Sequence, residues 1–396
     1  MAPRIATFLS IALSLWTLVA AESIPKTDYD VIVVGGGPSG LSALSGVSRV
    51  RRTALLFDSQ EYRNGPTRNM HDVIGNDGNI HTLILHSPAE FRALAREQIL
   101  KYPTAHIKNA TVKSITSIGT DAVTAFSVVD ASGRNYTARK IVLGTGMRDV
   151  LPDTPGLKEA WGKGIFWCPW CDGYEHRDQP FGILGNLSDV LGSVLEVNTQ
   201  FSDIIAFVNG TQTPDGEAQA TASHADWKEQ LKAWNIQIEN RTIASIERLQ
   251  DGETHQNKTT DMQFDKFRVH FTTGEPVERS AFITNFAAVQ QSSLPSQLHL
   301  NVTKEKIVVD ASSMRTNVTG VYGVGDANSD GSTNVPHAMF SGKKAAVYLH
   351  VQLSREDSAS KVSKRTGLSQ RELEKEATRA IGRNLEPQWE KIQKRN

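Results

Sequence analysis

Short apolar runs rich in valine, isoleucine and leucine recur along the chain, and several end abruptly in glycine. Residues 29–34 (Tyr29-Asp30-Val31-Ile32-Val33-Val34) form one such run, without the polar alternation of a half-exposed strand, so the pattern predicts a parallel strand buried on both faces. It passes directly into Gly35-Gly36-Gly37-Pro38-Ser39-Gly40 and then the helix-compatible Leu41-Ser42-Ala43-Leu44. Further strands are predicted at 53–57, 140–143, 180–184 and 320–324. A helix is expected over 340–351, where Gly342 and Ala345-Ala346 permit close approach. Strands that alternate with helices in this way make an α/β chain with parallel sheets. From residue 354 onward charge replaces the apolar period, as in Arg371-Glu372-Leu373-Glu374-Lys375-Glu376, which predicts a tail over 354–396 that is either a solvated helix or a docking element.

The first strand, turn and helix fit Gly-x-Gly-x-x-Gly. Gly35 makes the tight turn, Gly37 lets a pyrophosphate approach the backbone, and Gly40 lets the helix pack on the strand, with Pro38 and Ser39 at the helix N-terminus that faces the phosphates. The next strand ends at Asp58, placed to bind a ribose hydroxyl. This is the pattern of a dinucleotide site.

The only two cysteines, Cys168 and Cys171, stand together in Trp167-Cys168-Pro169-Trp170-Cys171-Asp172-Gly173. A bridge between them closes too small a loop to restrain the unfolded chain, so it is a poor structural staple. Half of a zinc site would need a second ligand pair at metal spacing, and no second Cys-x-x-Cys exists. Dithiol–disulfide chemistry is the reading that remains.

Two later strands run into Gly144-Thr145-Gly146 and Gly323-Val324-Gly325-Asp326. With these in place the chain resembles the thioredoxin reductase-like flavoproteins over about residues 28–353. The resemblance implies two Rossmann-like three-layer domains. An FAD domain comes in two segments, 28–155 and 290–353, and a nicotinamide-type domain, 156–289, is inserted between them and carries the cysteine pair. It further implies that Thr145 and Gly146 pass near the flavin, that Gly325 and Asp326 bind the ribityl and phosphate part, that Cys171 faces the flavin, that Cys168 meets substrate, and that Asp172 relays a proton.

The chain departs from that family at the second glycine turn. After the strand at 180–184 it reads Gly185-Asn186-Leu187-Ser188-Asp189, keeping one glycine and setting Leu187 where a side chain would obstruct a pyrophosphate. No arginine or lysine follows the next strand, in Phe207-Val208-Asn209-Gly210-Thr211-Gln212-Thr213, to hold a 2′-phosphate. A Cys pair beside FAD without a nicotinamide site suits thiol oxidation by oxygen, and the pattern looks like the secreted fungal flavin-dependent sulfhydryl oxidases. It is also similar to the dithiol oxidases of fungal epipolythiodioxopiperazine toxins. Both imply homodimers acting on small thiols and O2. Trp167, Pro169 and Trp170 either shape an apolar mouth or simply pack. His337, in a segment that the resemblance sets beside the flavin, is either the base that makes a substrate thiolate or a structural histidine.

The remaining signals concern location. Residues 1–21 carry Arg4, an apolar run and Val19-Ala20-Ala21, which together read as a secretory signal too short to span a bilayer. Asn-x-Ser/Thr sequons stand at Asn109, Asn135, Asn186, Asn209, Asn240, Asn257, Asn301 and Asn317, against roughly two or three expected by chance, which suggests an N-glycosylated secreted protein. With 43 basic and 43 acidic residues the chain is too neutral for an electrostatic nucleic-acid partner, and no other stretch suits a membrane span.

Overall fold

The computed structural model describes residues 24–74, 87–120, 123–331, 333–366 and 375, so the expected signal segment and most of the tail lie outside the described residues. Residues 27–350 form one compact unit built on two sheets. The first sheet runs in the order Ala105–Asn109, Ala54–Asp58, Tyr29–Val34, Asn135–Leu143, Phe126–Asp130 and Val112–Ser117. Val33 pairs with Leu56 on one side and Val142 on the other, and all three are wholly buried, which explains the unbroken apolar run. Asn135–Leu143 divides its other edge between two partners, since its first half pairs antiparallel with Phe126–Asp130 and its last three residues pair parallel with Val321–Gly323.

The second sheet is all parallel, in the order Gln237–Glu239, Ile204–Phe207, Phe181–Leu184, Ala281–Thr284 and Ile165–Phe166. A three-stranded antiparallel meander, Ile243–Gln250, Lys266–Phe271 and Val277–Arg279, packs its Phe267 against Phe282 of that sheet. All of this lies between two crossings of the chain, Met147–Asp149 and Ala288–Gln290, which pair with each other as a short antiparallel ribbon.

The last helix differs from the predicted one. It begins at Val335, because Asn334 Oδ1 accepts a hydrogen bond from the His337 N–H and caps the first turn. It also continues through Thr366, into the charged stretch. Gly342 lies against the first helix, Pro38–Arg49, so closely that a Cβ there would stand 2.1 Å from the Ser39 carbonyl oxygen. The helix from Val351 onward belongs to a separate compact unit.

A buried ionic cluster ties the two sheets' domains together. Arg68, on the loop after Ala54–Asp58, makes a two-pronged bond to Asp265 of the meander at 2.8 Å on each arm and also reaches Asp251 and Gln263. Asp265 takes further hydrogen bonds from Arg248, the Gly252 N–H and His176 Nε2. Burial alone would raise the Asp265 carboxyl, but the bonds from His176 and Arg68 hold it far below the usual carboxylate range. Removing one partner of a buried pair strands the other charge, so Arg68→Met should lower unfolding stability by about 3 kcal/mol, measured by urea titration of tryptophan fluorescence. Removing Arg68 and Asp265 together should cost less than the sum of the two single losses, because the Arg68–Asp265 bond is counted in both.

Candidate active site

A cavity of about 490 Å³ opens between the first glycine turn and the cysteine helix, lined by Gly35, Gly37, Pro38, Ser39, Thr145, Gly146 and Asp326 on one side and by Cys171 and Asp172 on the other. The turn is shaped for a phosphate. Gly35 has φ +116°, and a Cβ there would lie 2.0 Å from the Gly144 carbonyl oxygen, whereas a Cβ on Gly37 would meet nothing within 4 Å and would project into open space. Gly40 does not line the cavity; it packs on the carbonyl of Gly35, as close helix–strand contact requires. Gly325, at φ +68°, likewise stays behind the wall, its N–H bound by Ser341 Oγ. Thr145 Oγ1 is buried without a hydrogen-bond partner among the described residues, and Thr145 lines the cavity, so a polar ligand atom is what this wall lacks.

Asp58 sits differently from its expected place. It is buried behind Gly36 and does not line the cavity, and its carboxylate is taken up by the Gln60 N–H, the Tyr62 hydroxyl and Arg96. Its role is to hold the loop that begins at Ser59. That loop supplies Arg63, which sequence reasoning missed. Arg63 bonds both oxygens of Asp149 at 2.9 and 2.7 Å and Asp326 at 2.9 Å, and its guanidinium lies 5.2 Å from the Trp167 ring. Burial would lower its pKa, but the pair with Asp149 and the charge of Asp326 carry it above its ordinary value, so a fixed positive charge stands in the cavity wall.

Cys168 and Cys171 are joined as a disulfide, with Cα atoms 5.2 Å apart. Cys168 precedes the single-turn helix Pro169–Asp172, and its carbonyl accepts from the Cys171 N–H. Only Cys171 lines the cavity; Cys168 is half-buried outside it, beside Trp170, which is 63% exposed. The tryptophans therefore divide. Trp167 stacks on Trp161 at 5.1 Å as cavity wall, Pro169 is buried, and Trp170 is the one open to an incoming molecule.

Asp172 follows Cys171 in the wall. Desolvation pushes its carboxyl from the ordinary 3.8 up to about 7, against the pull of nearby His71 and His176. A carboxyl titrating there can give or take a proton near neutrality. The folded chain holds this proton to about pH 7 and the unfolded chain only to about pH 4, so the group costs stability as pH rises through that window. Thermal unfolding of Asp172→Asn should accordingly depend less on pH between 4 and 7 than that of the parent. His337 does not join this group. Its Nε2 lies 2.8 Å from Asp330, and the residue is not part of the cavity wall.

A second, smaller cavity of about 250 Å³ lies at the C-terminal ends of Phe181–Leu184 and Ile204–Phe207, where a second dinucleotide would sit. No charged side chain lines it among the described residues, and Asn186 and Asn209 are on its wall. The obstruction expected from Leu187 takes another form. Its side chain turns into the core, 2% exposed, and it is its N–H that is lost to a ligand, because Thr211 Oγ1 accepts it at 3.0 Å.

The family model for pyridine nucleotide-disulphide oxidoreductases matches residues 29–342. A probable thioredoxin reductase of Arthroderma benhamiae is 52% identical over 369 residues, covering 91% of this chain and 90% of its own. Thioredoxin reductase tcpT of Claviceps purpurea is 30% identical over 82% of this chain and 94% of its own. Among solved structures, HlmI superposes with a TM-score of 0.72 at 28% identity, over 86% of this chain and 98% of its own. Putative thioredoxin reductase TrxB of Bacillus anthracis gives 0.70 at 26%, over 83% and 99%. The cradle and the disulfide thus stand in a chain that is an FAD-binding oxidoreductase of the pyridine nucleotide-disulphide oxidoreductase family, thioredoxin reductase-like in fold.

Proposed function

We propose that the protein is an FAD-dependent thiol oxidase, acting on small glutathione-like thiols and handing their electrons to O2 as hydrogen peroxide. The observation that carries this reading is the second cavity. A nicotinamide dinucleotide needs backbone N–H groups for its pyrophosphate and basic side chains for a 2′-phosphate, and here the wall is uncharged and the Leu187 N–H is already spent. Electrons then enter through Cys168, beside exposed Trp170, and Cys171 delivers them into the cavity. Bound FAD supplies the two-electron acceptor that oxygen can reoxidise. The stoichiometry is two thiols and one O2 consumed for one disulfide and one H2O2 formed.

The expected secretory signal and sequons fit this reading. All eight sequon asparagines except Asn240 are exposed, and glycans on Asn186 and Asn209 would stand across the second cavity. We assign the protein to the secreted glycoproteins, as a homodimer; among the described residues no helix is long and apolar enough to cross a membrane. A second reading, an NADPH-dependent reductase, is favoured by the relatives at 52% and 30% identity, which are named as thioredoxin reductases. A third substrate choice, closing the disulfide of a fungal metabolite dithiol, uses the same site. An oxygen electrode decides: purified protein should consume oxygen with glutathione or a dithiol alone, and a requirement for NADPH would establish the reductase instead.

A further inference from the structure

We propose that His71, held by Glu175, is the proton-transfer residue for the Cys171 thiol, an inference that rests on the thiol-oxidase reading above. His71 lines the same cavity as Cys171 and Asp172, which His337 does not. Its Nδ1 lies 3.6 Å from Glu175 Oε1, and the two side chains are 11% and 8% exposed. Glu175 stands in the turn Tyr174–His176 that directly follows the cysteine helix, while His71 comes from the same loop as Arg63 and Arg68. The pair is thus assembled across the boundary between the two domains, with His71 on the wall of the cavity that Cys171 also lines.

A carboxylate facing one imidazole nitrogen orients the ring. The charge of His71 is the strongest influence drawing the Asp172 carboxyl back towards its ordinary range, ahead of His176 and Arg68, with Glu175 acting in the opposite sense. His71 and Asp172 thus face the same cavity and interact electrostatically. The same cation favours a thiolate on Cys171.

In the exchange step the substrate S–H bond breaks, a bond forms between the substrate sulfur and Cys168 Sγ, and the Cys168–Cys171 bond opens with its electron pair on Cys171 Sγ. The proton given up by the substrate is held on His71. A thiolate and an imidazolium then share the cavity, charge is conserved, and no oxidant is consumed in this half of the cycle. Glu175 acts through His71 and is a positioning residue.

The test uses the full-length FAD-loaded protein with His71→Gln and Glu175→Gln. In fully reduced protein under nitrogen, the rate of Cys171 alkylation by iodoacetamide is followed against pH by peptide mass spectrometry. Cys171 of His71→Gln should react roughly tenfold more slowly than the parent at pH 7 and catch up at high pH, with Glu175→Gln shifted in the same direction by less. Coincident curves would overturn the proposal whatever the enzyme's electron donor. In a parallel measurement, anaerobic flavin bleaching by glutathione should be about 100-fold slower in His71→Gln at pH 7 and recover as the thiol ionises unaided. A parent that glutathione and dithiols leave unbleached would defeat the oxidase reading, and the alkylation curves would then judge His71 alone. If His71→Gln fails to retain FAD, Glu175→Gln decides, because Glu175 lies outside the cavity wall and an unshifted curve there rejects the pair.

Discussion

NADPH and NADH leave the flavin of this protein oxidised under anaerobic conditions, while millimolar glutathione or a dithiol bleaches it and admitted oxygen restores the yellow colour with formation of hydrogen peroxide: this is the expected result of a stopped-flow experiment at the visible flavin maximum. The argument is one of missing partners. The pyrophosphate would have to compete with Thr211 for the Leu187 N–H, and Thr211 is itself tied to the Val208 carbonyl at 2.6 Å, so opening the turn breaks two bonds in series. Each unreplaced hydrogen bond to a charged phosphate forfeits about 1.5–3 kcal/mol. A 2′-phosphate meets no compensating cation in the wall. Together these losses amount to several orders of magnitude in affinity, enough to remove nicotinamide binding at micromolar levels. Rapid bleaching by micromolar NADPH would sink the oxidase reading.

Cys168→Ser should abolish thiol-driven oxygen uptake, by a factor of at least about 1,000, with the flavin spectrum retained, because the hydroxyl neither forms a disulfide nor exchanges with one. Cys168 lies outside the cavity, so its loss leaves the FAD cradle untouched. Cys171→Ser should abolish turnover equally but respond differently to substrate, since a free Cys168 can still form a mixed disulfide with an oxidised thiol. Mass spectrometry after incubation with glutathione disulfide should find the adduct on Cys168 in Cys171→Ser and little on Cys171 in Cys168→Ser. Equal labelling of both would mean that the order of the two sulfurs is wrong.

The sheet strands and the glycine turn were legible because each is a local pattern: an apolar run states burial on both faces, and glycine at Gly35 states a backbone that other residues rarely adopt. The cysteine pair was legible because the chain has no other cysteine to pair with it and no second Cys-x-x-Cys to complete a zinc site. The surroundings of Asp58 were not legible, because its position at a strand end says nothing of Tyr62 and Arg96, which the fold brings onto its carboxylate. Arg63, Arg68 and His71 were missed because they lie on a loop without periodicity, and their partners Asp326, Asp265 and Glu175 belong to distant segments; Arg68 and Asp265 are 197 positions apart. Conversely His337 drew notice because the resemblance sets its segment beside the flavin, yet Asp330, seven positions before it, takes the ring. Leu187 shows a subtler limit, since the residue type signalled a closed nucleotide turn while the atom that closes it is a backbone N–H.

The ribbon of Met147–Asp149 with Ala288–Gln290 fixes an order of events during synthesis. The whole second sheet, from Ile165 to Thr284, emerges from the ribosome as one continuous stretch and can complete its parallel pairings at once. The first sheet cannot, because the strand Val321–Gly323 that joins Ile141–Leu143 is made only after the entire insertion has been translated. The flavin cradle is therefore the later of the two to be complete, since its Gly325–Asp326 edge is translated after the whole cysteine-bearing domain. Bringing Asp149 and Ala288 side by side is what keeps that delay inexpensive, since the folded insertion replaces a long flexible loop with a short bridge and the late strand finds its partner across a nearly closed gap.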